Sequence, residues 1–330
     1  MIFKNKNKNL LTFDNGSLFC SLCDTWIDPK KPVKRALITH AHFDHVSFGC
    51  EEYISSYETS IILKERLGSK INIKAYDYAE KFKLNGVSIS FHPSGHILGS
   101  SQIKLEIAGE SWLVTGDFKK QEDGTCKRFE EIHTDFLISE STFALPIFKW
   151  EETELIVNDI SNWVKESSNK TSILFCYSLG KAQRLLNELK NKNIRQIFTH
   201  KSISKINNCY KKLGIDLIDT INFDKNNIPK NTTGSLIILP PSLNNKRFLN
   251  SIEKPQTSFA SGWMTIRALK KRSGYDKGFV ISDHSDWSGL IEAIRGSQAK
   301  KVFLTHGDGE NLAKYLRFKD NLDISSKAIS

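Results

Sequence analysis

The sequence predicts an α/β protein in two parts. One domain is assembled from both ends of the chain, with polar residues at its strand ends, and a parallel α/β domain is inserted between them. Three observations predict this. Short strand-like runs fill the chain to about Glu140, and several stop on a residue suited to chemistry: His40 after ALIT, His96 after SISFHPSG, Asp117 after LVTG and Glu140 after FLIS. From Ser141 to about Asp276, strand and helix patterns alternate, as they do in a parallel sheet with crossover helices. After Gly274 the first texture returns, with Asp283-His284 and His306 again closing apolar runs. The expected boundaries are 1–141 with 276–330 for the split domain and 142–275 for the insertion.

Taken in order, runs 36–39, 87–92, 103–107, 112–115 and 136–139 read as strands, apolar stretches set between turn residues. A helical pattern covers 152–166. A strand at 172–176, a turn at 177–180, a helix over 181–190 and a strand at 196–199 follow. Residues 223–234 are polar and loop-like, and a strand at 236–239 ends at Pro240-Pro241. Runs 279–282 and 302–305 close the pattern. The basic, polar stretch 1–9 lacks the apolar region of a signal peptide and reads as a frayed tail. No apolar stretch reaches 18 residues, so no spanning helix is expected, and the expected location is cytoplasmic.

The chain has 330 residues, 39% of them hydrophobic, enough for a core of one large or two medium domains. Its net charge of +10, from 47 basic and 37 acidic side chains, favours an anionic partner. The six cysteines show no disulfide framework, and Cys20-x-x-Cys23 has no second pair to complete a zinc knuckle. Buried free thiols are the expectation.

The densest chemistry is His40-Ala41-His42-Phe43-Asp44-His45, on the loop leaving the first strand. Zinc takes nitrogen and carboxylate ligands at about 2.0–2.2 Å. His40 and His42 can hold one ion with His96, while Asp44 and His45 turn toward a second. Asp117 offers two oxygens and can bridge the pair. His306, again after a strand and before a glycine, completes the second site. Two divalent cations so held retain positive charge, which suits a phosphodiester and its more negative transition state. Zn2+ is the expected ion, with Mn2+ as the alternative.

These motifs resemble the metallo-β-lactamase superfamily. Glu140-Ser141-Thr142, Ser282-Asp283-His284-Ser285-Asp286 and Thr305-His306-Gly307 resemble its β-CASP nuclease branch, which includes messenger-RNA 3′-end processing and DNA-repair nucleases. Over roughly residues 14–307 the chain is similar to the bacterial ligase-associated DNA exonuclease family. The strings that carry this are WIDPKKPV from Trp26, THAHFDH from Thr39, HPSGHILGS from His92, ESTFALP from Glu140, YSLGKAQRLL from Tyr177, FASGWM from Phe259 and SDHSDW from Ser282.

The resemblance implies a metallo-β-lactamase αββα sandwich carrying an inserted β-CASP parallel α/β domain. It implies that His284 protonates the leaving oxygen or holds the phosphate. It also implies that Glu140 orients His284 by hydrogen bonding and that Asp28 braces the histidine loop. Ser178-Leu179-Gly180-Lys181 is similar to the insertion's strand-to-helix turn, where free N–H groups attract phosphate. Lys181 and Arg184 would then flank a nucleic-acid backbone. Ser261 and Gly262 would donate to the phosphate, and Arg267 would open a basic strand-binding run, 267–272.

The leading reading is a two-metal hydrolase of phosphodiester bonds, a DNA exonuclease in DNA repair acting on single strands or DNA ends. The family resemblance adds a DNA ligase as partner. An RNA-processing endo- or exoribonuclease of the same branch is the alternative, and a small-molecule thioesterase or lactonase a further one.

Overall fold

The computed structural model describes residues 10–326 apart from 15, 225 and 273; the expected tail 1–9 lies outside the described residues. The chain forms two compact units. The first comprises 1–122, 127–145 and 287–330, and the second 123–126 and 146–286.

The first unit contains two sheets. One runs, in spatial order, Leu11–Asp14, Ser17–Cys20, Thr25–Ile27, Arg35–Leu37, Glu52–Ser56 and Ile73–Tyr76. The other runs Asp323–Ser325, Lys301–Thr305, Phe136–Glu140, Glu110–Val114, Ser101–Ile107, Val87–Pro93 and Phe82–Leu84. Side chains alternate across a strand, and the second sheet uses both faces. Trp112, Val114, Ile138 and Phe303 join Leu18, Ile27, Leu37 and Ile54 of the first sheet in one core. Their neighbours Leu113, Leu137, Val302 and Leu304 point the other way, onto the helices Trp287–Gly296 and Glu310–Asp320 through Leu290, Ile294, Leu312 and Leu316. Cys20 and Cys23 are free thiols within the inter-sheet core.

Four parallel-paired strands, Arg35–Leu37, Glu110–Val114, Phe136–Glu140 and Lys301–Thr305, deliver candidate site residues just beyond or at their C-terminal ends. Sites in open α/β sheets form there. The first strand is shorter than the expected 36–39: the Thr39 N–H leaves the ladder and donates to Asp28 Oδ1 at 2.9 Å.

The second unit holds one six-stranded sheet, all parallel, in the order Ile221–Phe223, Ile197–His200, Leu236–Leu239, Thr171–Phe175, Pro255–Ala260 and Lys277–Phe279. Its two central strands, TSILF and LIIL, are buried along their whole length, the pattern of a parallel strand covered on both faces. The helices Thr153–Glu166, Lys181–Glu188 and Lys201–Lys212 belong to this unit. The string FASGWM begins inside the strand Pro255–Ala260. The strand expected at 279–282 lies earlier, at Lys277–Phe279, which is an edge strand. Among the described residues no helix is long and apolar enough to cross a membrane.

Candidate metal centre

The loop after Leu37 carries His40 and His42, and the segment after the strand Val87–Pro93 brings His96 to them. His40 Nε2 lies 3.1 Å from His42 Nδ1, and His96 Nε2 lies 3.2 Å from the same atom. Asp117 Oδ2 is 3.6 Å from His40 Nε2 and 3.7 Å from His96 Nε2. A tetrahedral ion with bonds of about 2.0–2.1 Å holds its donors roughly 3.3 Å apart. All four donor atoms lie within 4.8 Å of one another, so the cluster has the size such an ion needs.

A second group shares the same carboxylate. His45 Nε2 is 3.4 Å from Asp117 Oδ2, and His306 Nδ1 is 4.0 Å from Asp117 Oδ1. The His45 and His306 rings stack with centroids 4.7 Å apart. His45 Nε2 is buried without a hydrogen bond, a costly state for a polar atom unless something satisfies it. A divalent cation does so, and the donor chemistry fits one. His306 sits at φ 50°, in the left-handed region that non-glycine residues seldom adopt.

Asp44 is the donor that stands apart. Its side chain is 74% exposed and its Oδ2 is 4.0 Å from His45 Nε2, outside both compact groups.

Behind the candidate donors, Asp28 accepts from the Thr39 N–H and, at 2.6 Å, from the Thr39 hydroxyl, and it meets His45 Nδ1 at 2.7 Å. A carboxylate on Nδ1 fixes the tautomer and leaves Nε2 to point at the metal position. The Thr39 hydroxyl also lies 3.1 Å from His40 Nδ1, a support that sequence reasoning missed, although Thr39 immediately precedes His40. Gly116, at φ 56°, passes so close to Thr39 that a Cβ there would come within 2.7 Å of its side chain. Lys30 reaches the Asp44 carbonyl with its amine.

The electrostatics divide the imidazoles. Burial, reinforced by the neighbouring His45, holds the His40 pKa well below its ordinary value, against the pull of Asp117. Burial also pushes His45 down, but Asp117 and Asp28 together outweigh it and hold its pKa well above the ordinary value, so a cation at Nε2 would have to displace a proton there. His40 is therefore neutral, the form in which imidazole binds metal. Glu140 is buried in the same unit, where it accepts from the Phe118 N–H at 2.7 Å and from the Thr142 hydroxyl at 2.6 Å.

The candidate residues of the second unit fall out differently. Lys181 and Arg184 were expected to flank a nucleic acid, but they are only 3% and 1% exposed. Lys181 Nζ pairs with Asp283 Oδ2 at 3.1 Å. Arg184 donates to the Ser282 carbonyl at 2.6 Å and to Thr153 Oγ1 at 2.5 Å, with Asp283 Oδ1 3.6 Å and Asp123 Oδ2 3.7 Å away. Both cations are committed to internal partners, which corrects the expectation.

Gly180 does not offer a free N–H either: Gln183 Oε1 accepts it at 2.8 Å, and Gln183 Nε2 donates to the Ser178 carbonyl. Ser261 and Gly262 are buried, with the Ser261 hydroxyl accepting from the Trp263 N–H. Arg267 is exposed. His284 is half-buried; its N–H donates to Ser282 Oγ at 3.1 Å and its carbonyl accepts from the Trp150 indole at 2.8 Å.

No protein-family model matches the chain. A solved protein of unknown function from Enterococcus faecalis V583 is similar in fold, with a TM-score of 0.56 over 84% of this chain and 76% of that one, at 13% identity. A probable DNA ligase from Opitutus terrae is 30% identical over 92% of this chain and 30% of its own length. The cleavage and polyadenylation specificity factor subunit 3 of Dictyostelium discoideum is 31% identical over 34% of this chain and 15% of its own. Endoribonuclease YSH1 of Yarrowia lipolytica is 29% identical over 48% and 19%.

The chain belongs to the β-CASP metallo-β-lactamase family.

It spans 30% or less of the length of these three curated relatives. The β-CASP assignment agrees with a split first unit that carries the histidine–aspartate cluster and a separate parallel α/β unit from the middle of the chain.

Proposed function

We propose that this β-CASP protein is a two-metal nuclease that hydrolyses phosphodiester bonds, a DNA exonuclease of DNA repair working on single strands or DNA ends. One observation carries the reading: two donor groups, three histidines and two histidines, share the single carboxylate Asp117. With Zn2+ or Mn2+ bound, such a site lowers the pKa of water and stabilises negative charge on phosphate oxygens. We read the first unit as the αββα sandwich of the family, which sets this site at the rim of its sheets. DNA is favoured because the relative matched over most of this chain is named as a probable DNA ligase. That name also supports a ligase as partner. The RNA reading is kept by the endoribonuclease relative.

The chain's own residues have distinct tasks in this reading. His40, His42 and His96 present ring nitrogens to the first position, and Asp28 holds the proton of His45 on Nδ1. Glu140 is fixed by the Phe118 N–H and the Thr142 hydroxyl. His284 gives its proton to the leaving oxygen.

The test is a cleavage ladder on end-labelled single-stranded DNA and RNA of matched sequence, with Zn2+ and with Mn2+. The parent should shorten DNA from one end, chelation should abolish this, and Asp117→Ala should lose both metal and cleavage. A ladder on RNA alone selects the alternative substrate. Cleavage by Asp117→Ala at the parental rate would falsify the two-metal reading. His284→Ala should keep its metal and lose about 10²–10⁴-fold in turnover; parental turnover removes the acid assignment.

A further inference from the structure

Two aromatic rings at the histidine loop lie open to solvent. Phe43, between His42 and Asp44, is 53% exposed, and Phe48 is 57% exposed. Their rings stack, with centroids 5.6 Å apart and planes 29° from parallel. An isolated exposed phenylalanine is ordinary, but two rings in an offset stack in water leave apolar area uncovered at a loop that is otherwise firmly held. Arg66 lays its guanidinium 3.5 Å from the centre of the Phe43 ring and donates to the Ala41 carbonyl at 2.5 Å. The buried Tyr53 hydroxyl donates to the Ser47 carbonyl at 2.7 Å and accepts the Cys50 N–H at 3.1 Å, which pins the chain on either side of Phe48. The rings are therefore fixed in place before any ligand arrives, which lowers the cost of binding one.

We propose that Phe43 and Phe48 form a stacking platform for an unpaired base of the nucleic-acid strand, beside the phosphate to be cleaved. This rests on the nuclease reading and names the contact that holds an unpaired base there. The chemistry selects that ligand on two counts. Flat apolar rings stack on a base of any sequence. Arg66 over one ring and Lys30 on the Asp44 carbonyl put two cations at the same loop, matching the phosphates that flank a base. An apolar protein surface would satisfy the rings but not the cations.

The test scans one abasic residue along a labelled single strand and measures both cleavage and binding by anisotropy. Parent, Phe48→Ala, Phe43→Leu and Phe48→Trp are compared at equal metal content. In the parent, one abasic position near the cut should weaken binding and kcat/KM by about tenfold or more. Phe48→Ala and Phe43→Leu should weaken the intact strand similarly and show no further penalty from the abasic residue, while Phe48→Trp restores both. An abasic penalty of equal size in parent and Phe48→Ala overturns the platform. So does a Phe48→Ala that binds and cleaves normally but loses self-association, which would assign the rings to a second copy. A parent that binds with the abasic penalty but does not cleave leaves the platform standing and removes the nuclease reading.

Discussion

Asp28 carries three contacts on two oxygens, to the Thr39 N–H, the Thr39 hydroxyl and His45 Nδ1. It belongs to neither donor group, but it touches His45 of one group and fixes the backbone that leads to His40 of the other. Carboxylates in this position typically change metal affinity by about 10–100-fold. Asp28→Ala should therefore weaken metal binding by that amount in a chelator competition, with the circular dichroism spectrum preserved. Unchanged affinity would reduce Asp28 to a turn residue. The candidate donors stand out in the sequence because each falls in a short local motif at a strand end. Thr39 was passed over because a threonine closing a strand has no distinguishing mark; its role appears only when Asp28, eleven positions away, folds onto it.

At the scale of elements, the helix Lys181–Glu188 shows where a sequence misleads. Lys and Arg three apart at a helix start look the same whether they meet solvent or a buried carboxylate. Their partner, Asp283, lies about a hundred residues later, beyond any local pattern. Removing one member of a buried charge cluster costs about 3–5 kcal/mol, because the others are left uncompensated. Exposed pairs contribute about 0–1 kcal/mol. Arg184→Met should accordingly lower stability in urea unfolding severely, while Lys190→Ala, which breaks an exposed pair with Asp216, should barely move the midpoint. Equal effects would mean that Arg184 is not sealed inside. The strand Pro255–Ala260 was missed for a related reason. PQTSFA begins with proline and lacks an apolar run, so only its parallel pairing with Thr171–Phe175 and Lys277–Phe279 identifies it.

Over the whole molecule, the net charge of +10 has lost two of its expected strand-binding contributors, Lys181 and Arg184, to the interior. The exposed Arg267, Lys271 and Arg272 remain. Each phosphate contact on a single strand contributes about 0.7 to the slope of log affinity against log salt. Replacing Arg267 and Lys271 by Gln should flatten that slope by roughly 1.4 if both touch phosphate, and an unchanged slope would return them to ordinary surface. In the sequence, the switch in texture near Ser141 and Gly274 is what suggests a split unit and an intervening one. The compact units part at 145/146 and 286/287, and the second also takes 123–126. That short segment contains Asp123, whose carboxylate faces Arg184, and nothing in four residues announces such a partner.

The discontinuity of the first unit also orders events on the ribosome. His40, His42, His96 and Asp117 all emerge before residue 146, so a nascent chain can assemble the first donor group early. The second group waits for His306, after the whole intervening unit has been translated. A polypeptide released at residue 286 would have a finished second unit and a half-built first one, without the strand Lys301–Thr305 and its terminal imidazole. In the two-metal reading proposed above, a chain halted at residue 286 would carry the first donor group without the second.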